Sequence, residues 1–404
     1  MSKTNRQKTI HDYIQAHQEE FKKLAVDIHQ HPETSNHEYY AQEVLTKQLE
    51  ADGFEIVRDV AGHPTGFTAT YKTNQPGPTV AFLAEYDALA DAGHACGHNL
   101  YGNYSLLAAT ALKSVIDELG GEIRVYGTPG EEGGENGSAK GSFVREGFFS
   151  DVDVALSAHP GVKYQRSTTL LANDPVDIEF FGKTSHAAAA PEQGISALTP
   201  LIQTFVGIDN IRIHLPKDVS IHGVILDGGQ AANVIPDYAR GRFYLRAKTR
   251  PTLNAAKERV ENIVKAAALA TGTDYRFELF QNAVDNMILT PSFDDLFFDH
   301  VKALGIPDKD IDLDQPKSLG SSDVGNVSQV IPTIQPNISI SDQDMAGHSP
   351  EFRAAACSQK GLDSIPLAAE LLARTALDLY EDSDLLAKIK ADYQQNKAKI
   401  GAEK

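Results

Sequence analysis

The sequence predicts an α/β protein with a smaller α+β unit in its second half, and three observations lead to this fold class. In the first half, short apolar segments bounded by Gly, Pro or Asn alternate with amphipathic segments of helical period, which favours helices layered on a sheet. From about residue 175 the order becomes strand, helix, strand, strand, helix, strand, the pattern of a ferredoxin-like unit. After about residue 287 the chain returns to mixed α/β and ends in two helices, near 363–380 and 384–397.

The elements of the first half follow from apolar spacing and from the residues that end each segment. Ile10, Ile14 and Phe21 recur at helical spacing in the first helix. Gly53 ends the second helix, and a pair of glycines at 120–121 ends the third. The segments predicted in this half are helices over 8–28, 38–52, 103–118 and 138–147 and strands over 54–60, 66–71, 79–84, 122–126 and 152–157.

The second unit contains the clearest helix of the sequence, over 251–270. Leu253, Val260 and Val264 lie on one face of it. Pro251 stands near its start and Gly272 follows its end, as is typical of helix termini. The other elements predicted in this unit are strands over 176–181, 220–226, 239–247 and 275–280 and a helix over 194–212.

Length, charge and cysteine content limit the class of protein. The 404 residues are enough for two or three domains, and the formal net charge is −18. Nucleic acids and anionic membrane surfaces attract basic proteins, so neither is an expected partner. No window offers the ~20 apolar residues of a membrane span. Two cysteines, Cys96 and Cys357, cannot build a disulfide scaffold, which indicates a reducing compartment and a cytoplasmic protein.

The first segment with chemical potential is 93–99, which reads Gly-His-Ala-Cys-Gly-His-Asn. The Cys96 thiolate and the His98 imidazole can reach one metal ion if the backbone turns between them, and Gly97 permits a turn. Taken alone, a Cys-x-His pair is more often a buried thiol beside a surface histidine. The neighbouring His94 is a third candidate ligand in the same segment.

A glycine-rich acidic segment follows the strand over 122–126, and it contains Glu131 and Glu132. Adjacent side chains point in different directions from an extended backbone. One glutamate can therefore bind a metal while the other accepts a proton, and the flanking glycines leave room for a substrate. Taken alone, the segment also fits a solvated acidic loop.

Three further residues stand in contexts where a functional group is plausible. His159 comes just after an apolar strand, at the edge of the sheet where α/β proteins bind ligands. His348 lies between Gly and Ser-Pro, and Asp87 ends the strand that begins at Thr79, where it can orient an imidazole. Each alone also fits an ordinary core or surface histidine or a turn aspartate.

Together these groups suffice for two divalent ions. A two-metal site polarises a carbonyl and makes hydroxide available at neutral pH, while a free carboxylate transfers the proton. Mixed nitrogen, oxygen and sulfur ligands suit Zn²⁺, Mn²⁺ or Co²⁺.

The order of these motifs resembles that of the aminoacylase/carboxypeptidase G superfamily of metallopeptidases. The motifs are Ala-Glu-Tyr-Asp-Ala-Leu, Gly-His-Ala-Cys-Gly-His-Asn, Gly-Glu-Glu-Gly-Gly, Ala-His-Pro, Ser-His-Ala and Gly-His-Ser. The sequence is most similar to the amidohydrolase branch, which includes auxin-conjugate hydrolases, N-acyl-amino-acid amidohydrolases and p-aminobenzoyl-glutamate hydrolase. Segments 85–89 and 321–328 resemble the side of that branch with p-aminobenzoyl-glutamate hydrolase and β-alanyl-lysine dipeptidase. The resemblance covers nearly the whole chain.

The resemblance implies a role for each matching residue. The metal ligands implied are Cys96, His98, Glu132, His159 and His348, with Cys96 contacting both ions. Glu131 falls on the general acid/base position, Asp87 on an aspartate behind the metals, and His94 is then a neutral neighbour of the ligands.

The resemblance also implies substrate-binding residues in the second unit. His186 is implied to hold the substrate carbonyl or its oxyanion. Asn233 and Arg246 are implied to meet the carboxylate end of the substrate, although a surface strand residue is an equal reading of Arg246. Two positions depart from the pattern: Ala90 replaces a common Pro, and the loop over 187–191 differs, which puts the shape of the substrate pocket in doubt.

The architecture and function implied are as follows. Residues 1–173 and 288–404 form a zinc-peptidase-like catalytic domain with a mixed sheet flanked by helices, and 174–287 form an inserted ferredoxin-like lid and dimerisation domain of a homodimer. The enzyme cleaves the amide bond of N-acyl amino acids or dipeptides with two divalent ions per chain. A dipeptidase or a p-aminobenzoyl-glutamate hydrolase is the alternative. A catalytically silent metal-binding subunit, which should lack a ligand or Glu131, is the alternative of another class.

The histidines of the N-terminal segments have no motif around them, and we expect them to be solvated. They are His11, His17, His29, His31, His37 and His63.

Overall fold

A computed structural model describes residues 1–314 and 320–402. These residues form two compact units, each with its own hydrophobic core. Unit 1 consists of Met1–Thr169 and Met287–Ala402, and unit 2 consists of Leu170–Asn286.

The helices and strands of the described residues are named in chain order. The helices are Lys3–Gln30 (α1), Tyr39–Ala51 (α2), His98–Ile116 (α3), Ala139–Arg145 (α4), Leu198–Ile211 (α5), Arg250–Thr271 (α6), Pro291–Ala303 (α7), Val324–Ser328 (α8), Pro350–Ala355 (α9), Gln359–Glu381 (α10) and Ser383–Ala402 (α11). The strands are Glu55–Val60 (β1), His63–Lys72 (β2), Thr79–Ala84 (β3), Glu122–Gly127 (β4), Val154–Leu156 (β5), His159–Gly161 (β6), Tyr164–Gln165 (β7), Ala172–Phe181 (β8), Ser185–His186 (β9), Ser220–Asp227 (β10), Val234–Ile235 (β11), Tyr238–Ala247 (β12), Asp274–Leu279 (β13), Ile311–Asp312 (β14), Thr333–Ile334 (β15) and Asn337–Ser339 (β16).

Unit 1 is built on a mixed six-stranded sheet in the order β1-β2-β4-β3-β5-β15. The strand β3 runs parallel to both β4 and β5, whereas β2 is antiparallel to its two neighbours. Parallel neighbours end at the same edge of a sheet, so the segments that follow β3, β4 and β5 emerge together there. These segments contain Asp87, the two glutamates at 131–132 and His159.

The helix α3 begins at His98, five residues before the start predicted from the sequence. Gly97 precedes it with φ +80°, a left-handed conformation that glycine adopts readily, and Leu100 N–H donates to Gly97 O. Polar residues of the first turn, such as Asn99, are buried, so this turn has no amphipathic pattern. Gly102 lies so near the backbone of Glu85 that a Cβ there would stand 2.9 Å from the Glu85 carbonyl oxygen. Close packing against β3 therefore explains the glycine that made the turn look like a loop.

Unit 2 has the predicted ferredoxin-like fold. Its antiparallel sheet has the order β10-β12-β8-β13, so that the second, third, first and fourth strands of the unit lie side by side. Val176, Ile178 and Phe180 alternate along β8 and are buried together with apolar residues of α5 and α6. The helices therefore cover one face of the sheet.

None of the helices in the described ranges combines the length and apolar character that crossing a membrane requires.

Candidate metal centre and active site

Two clusters of potential metal ligands meet in unit 1 and share the thiol of Cys96. One cluster is Cys96, His98 and His159, and the other is Cys96, Glu132 and His348; within each, the candidate atoms lie within 4.8 Å of one another. Cys96 Sγ is 3.5 Å from His159 Nε2, and His348 Nε2 is 3.4 Å from Glu132 Oε2. The structure thus brings together the five side chains that the resemblance assigned to metal binding.

Asp87 orients one ligand and the loop that carries another. Its Oδ1 is 2.8 Å from His98 Nδ1, and its Oδ2 accepts a hydrogen bond of 2.9 Å from the backbone N–H of Glu132. A proton on Nδ1 leaves the lone pair of His98 Nε2 free to bind a metal. Asp87 is therefore placed to orient the ring rather than to bind an ion itself.

The donor atoms fit a divalent metal. His98 Nε2 and Glu132 Oε1 are buried and make no hydrogen bond of normal geometry within the described residues. Buried lone pairs that face one another without a hydrogen or a cation between them are costly. One sulfur, three imidazoles and a carboxylate favour Zn²⁺, Mn²⁺ or Co²⁺ over Mg²⁺ or Ca²⁺, which prefer oxygen.

Glu131 adjoins the clusters and is only 11 % exposed, with Oε2 3.9 Å from His98 Nε2. Burial raises the pKa of its carboxyl, and the nearby carboxylates of Glu85 and Glu132 raise it further. A carboxyl group with a raised pKa is suited to exchanging a proton near neutral pH.

Two histidines at the site are held in the neutral form. Burial, with the charge of His98, lowers the pKa of His159 to about 4. Burial and the same neighbour lower the pKa of His94 to about 3. Neutral imidazole is the form that binds metals. His94 is in neither cluster, as its expected place beside the ligands requires.

His348 differs from the other candidate ligands because it is 54 % exposed and has φ +63°. A left-handed backbone at a residue other than glycine costs on the order of 1 kcal/mol or more. The conformation is fixed on both sides: His348 N–H donates to Ala95 O at 3.0 Å, and Ser349 caps α9 by accepting from Phe352 N–H at 3.1 Å. The strain therefore serves to aim an exposed imidazole at Glu132.

Sequence reasoning missed a buried ion-pair network beside the site. Lys140 Nζ lies 2.6 Å from Asp323 Oδ1 and 2.7 Å from Glu85 Oε1, and all three side chains are fully buried. Glu85 Oε2 is in turn 3.2 Å from His98 Nε2. Glu85 and Asp323 belonged to motifs that carried the resemblance, but no pattern in the sequence separates a buried lysine from a surface one.

The expectation that His63 is solvated was wrong. It is fully buried, with Nδ1 2.7 Å from Asn36 Oδ1 and Nε2 2.9 Å from Ser142 Oγ. Its partners come from distant parts of the chain, so nothing in its local sequence indicated burial.

The candidates in unit 2 are arranged differently. His186 in β9 pairs with Val234 in β11, and its exposed side chain accepts hydrogen bonds from the backbone of Ala188 and Ala189 through Nδ1. Asn233 is exposed beside this pair, and its carbonyl oxygen accepts from Ala187 N–H at 3.0 Å. The structure thus brings His186 and Asn233 together.

Arg246 lies instead on β12 in the four-stranded sheet. It is half-buried, its guanidinium is 4.8 Å from the ring centre of Tyr244, and it forms no ion pair with any described residue. Burial lowers its pKa. An arginine without a carboxylate partner is available to a carboxylate ligand.

Comparison with known proteins identifies the family. A family model described as a peptidase dimerisation domain matches residues 175–272. The chain is 32 % identical over 377 residues to a Xaa-Arg dipeptidase of Mus musculus, covering 90 % of this chain and 86 % of that protein. The chain belongs to the M20 family of peptidases. It is accordingly a hydrolase that acts on amide bonds.

Other relatives of this M20 peptidase agree in fold and class. The chain is 33 % identical over 320 residues to one of the p-aminobenzoyl-glutamate hydrolase polypeptides of Escherichia coli, covering 74 % of this chain and 65 % of that protein. An aminobenzoyl-glutamate utilization protein of Klebsiella pneumoniae superimposes with a TM-score of 0.71 at 20 % identity, covering 91 % of this chain and 97 % of that one. A dinuclear metal-binding M20 peptidase of Bacillus subtilis superimposes with a TM-score of 0.62 at 18 % identity, covering 91 % and 99 %. At these identities the solved structures show the fold alone.

Proposed function

We propose that this M20 peptidase hydrolyses dipeptides or N-acyl amino acids that have a free carboxylate, with two divalent ions, Mn²⁺, Zn²⁺ or Co²⁺, at the paired clusters. The observation that carries the proposal is that two ligand clusters share Cys96 and lie beside a nearly buried carboxyl group, Glu131. No member of the ligand set and no acid/base group is missing, which argues against a catalytically silent subunit.

The chemistry would be divided between the ions and the chain. Bound metals act as Lewis acids and lower the pKa of a water molecule. Cys96, His98 and His159 would hold one ion, and Cys96, Glu132 and His348 the other. Glu131 would take the proton of the attacking water as its oxygen bonds to the amide carbon. The same carboxyl would give that proton to the amine as the carbon–nitrogen bond breaks.

Unit 2 would supply the groups that recognise the substrate. We assign His186 to the developing oxyanion and Asn233 and Arg246 to the substrate carboxylate. Hydrogen-bond donors aimed at an oxyanion accelerate acyl transfer, and a guanidinium matches a carboxylate in geometry. In this proposal, residues 1–173 and 288–404 form the catalytic domain, and 174–287 the lid and dimerisation domain.

The partner of the lid domain would be a second copy of the chain. The family model supports this assignment, and so does the apolar character of one edge of unit 2. The strand β10 is at the edge of its sheet and exposes Val224, Ile225 and Leu226, while α5 exposes Ile202 and Val206. An exposed apolar edge strand is a template for pairing with another chain. We also propose a cytoplasmic location, because the Cys96 thiol must stay reduced to bind metal.

The leaving amine is open to experiment. The Xaa-Arg dipeptidase relative favours dipeptides, and the p-aminobenzoyl-glutamate hydrolase relative favours an arylamide of glutamate. Metal-free protein would be loaded separately with Mn²⁺, Zn²⁺ and Co²⁺. It would be offered dipeptides ending in arginine, β-alanyl dipeptides, p-aminobenzoyl-glutamate, and N-acetyl and N-benzoyl amino acids. Metal-dependent cleavage of any of these would support the proposal, and the best substrate would identify the branch. Two bound ions without cleavage would contradict it and favour the silent subunit.

A further inference from the structure

The loop that carries Glu131 and Glu132, between β4 and α4, has an unusual backbone. Three glycines and two other residues in it have positive φ; they are Gly130 (+68°), Gly133 (+95°), Gly134 (+106°), Asn136 (+54°) and Ser138 (+62°). Such conformations at residues other than glycine are costly and persist only when surrounding contacts impose them. The position of the two glutamates therefore depends on anchors outside the loop.

Three buried carboxyl groups supply these anchors. Glu38 Oε1 accepts from Gly130 N–H at 3.0 Å, and Asp87 Oδ2 accepts from Glu132 N–H at 2.9 Å. Asp323 Oδ2 accepts from the backbone N–H of Lys140 at 3.0 Å, just after the loop ends. Each anchor comes from a different part of the chain, so the loop is fixed at its beginning, at its ligand and at its end.

The last anchor is part of the Lys140 network. The second oxygen of Asp323 contacts the ammonium of Lys140, which contacts Glu85, and Glu85 faces His98. Removing three charges from water costs several kcal/mol for each ion, and this cost is offset only by close pairing. None of Asp323, Lys140 and Glu85 belongs to the two clusters that share Cys96.

We propose that Asp323 and Lys140 are positioning residues for Glu131. Asp323 fixes the end of the loop through the Lys140 N–H. The Lys140 ammonium keeps the Asp323 and Glu85 carboxylates together, so that the loop and the His98 ring keep one arrangement. The inference rests on the proposed function, in which Glu131 transfers the proton. A displacement of about 1 Å at a reacting group can cost roughly 100-fold in rate.

The test compares Asp323→Ala, Asp323→Asn and Lys140→Met in the metal-loaded enzyme. Asparagine keeps an acceptor for the Lys140 N–H but loses the charge, whereas alanine loses both. Asp294→Asn is the matched control, because Asp294 is also buried and accepts from a backbone N–H, that of Ser167, elsewhere in unit 1. The readouts are kcat, KM, metal content, and amide hydrogen exchange over 130–140 in metal-free and loaded protein.

We expect Asp323→Ala and Lys140→Met to lower kcat by about 10- to 100-fold. KM should change by less than about threefold, and the metal content should remain that of the wild type. Exchange over 130–140 should accelerate in Asp323→Ala and less in Asp323→Asn, while the control changes neither kcat nor exchange. If Asp323→Ala does not fold, the Asn and Met variants provide the same comparison.

Wild-type kcat and exchange in these variants would overturn the inference, as would a loss of kcat that only follows a loss of metal. An equal loss in Asp294→Asn would also overturn it. Failure of the proposed function is a separate result: the wild type would then cleave no substrate, while the exchange measurement would still test whether Asp323 anchors the loop.

Discussion

The candidate groups of unit 1 and unit 2 are held in place in different ways. In unit 1, carboxylates orient both the His98 ring and the loop of Glu131 and Glu132, and most of the contacts are buried. In unit 2, His186 and Asn233 are exposed and fixed only through neighbouring backbone, and Arg246 rests on an aromatic ring. Rigid, buried support suits metal binding and proton transfer. Exposed groups on short connections suit recognition of variable substrates.

The largest expected effect comes from the atom common to both clusters. Cys96→Ala should lose both ions and all measurable turnover, because no other described residue belongs to both clusters. His348→Ala, at the exposed ligand, should lose only one ion. Metal per chain would be measured together with activity, and Cys357→Ala is the control. Two ions retained in Cys96→Ala would contradict the sharing of Cys96.

The next effect separates proton transfer from metal binding. Glu131→Gln should keep both ions and the fold but lower kcat by about 10²- to 10⁴-fold, because the amide cannot take a proton from water. Glu135→Gln, an exposed glutamate of the same loop, should leave kcat unchanged. Steady-state kinetics and metal analysis check both variants. Near wild-type kcat in Glu131→Gln would rule out the assigned role.

A smaller effect is expected in unit 2. Arg246→Ala should raise KM by about 10- to 100-fold for substrates with a free carboxylate, since a hydrogen bond to a charged group contributes about 1.5–3 kcal/mol. It should have little effect on the corresponding carboxamides. Arg276→Ala, an arginine paired with Glu179, is the control. Equal losses on acids and amides would show that Arg246 supports the fold instead of the substrate.

The smallest effect concerns stability and pH. Burial, together with the charge of Arg145, lowers the pKa of His63 to about 4 in the folded protein, against 6.5 when unfolded. Above pH 6.5 both states are neutral and the full stability is present. As the pH falls from 6.5 towards 4, only the unfolded state takes up the proton, so stability is lost by at most about 1.4 kcal/mol per pH unit. Urea unfolding between pH 4.5 and 8 should show this slope for the wild type and for His17→Gln, an exposed control. His63→Gln should have a shallower slope, and an unchanged slope would contradict the assignment.

The fold class was within reach of the sequence because its patterns are local. Alternating apolar strands and amphipathic helices indicated the α/β unit, and the order of elements after residue 175 indicated the ferredoxin-like unit. The start of α3 was missed because its first turn is buried on all sides, which removes the periodicity on which helix assignment depends.

The sequence by itself determined the types of metal-binding and acid/base groups and their order, since these are set by side-chain chemistry and by motifs of a few residues. Only the tertiary structure decided that Lys140 is buried between Glu85 and Asp323, that His63 is enclosed, and that Cys96 is common to two clusters. Burial and pairing arise from contacts between residues far apart in the chain: Lys140 and Asp323 are separated by 183 positions. A lysine and a histidine have the same local sequence whether water or protein surrounds them, and the folded packing alone settles which it is.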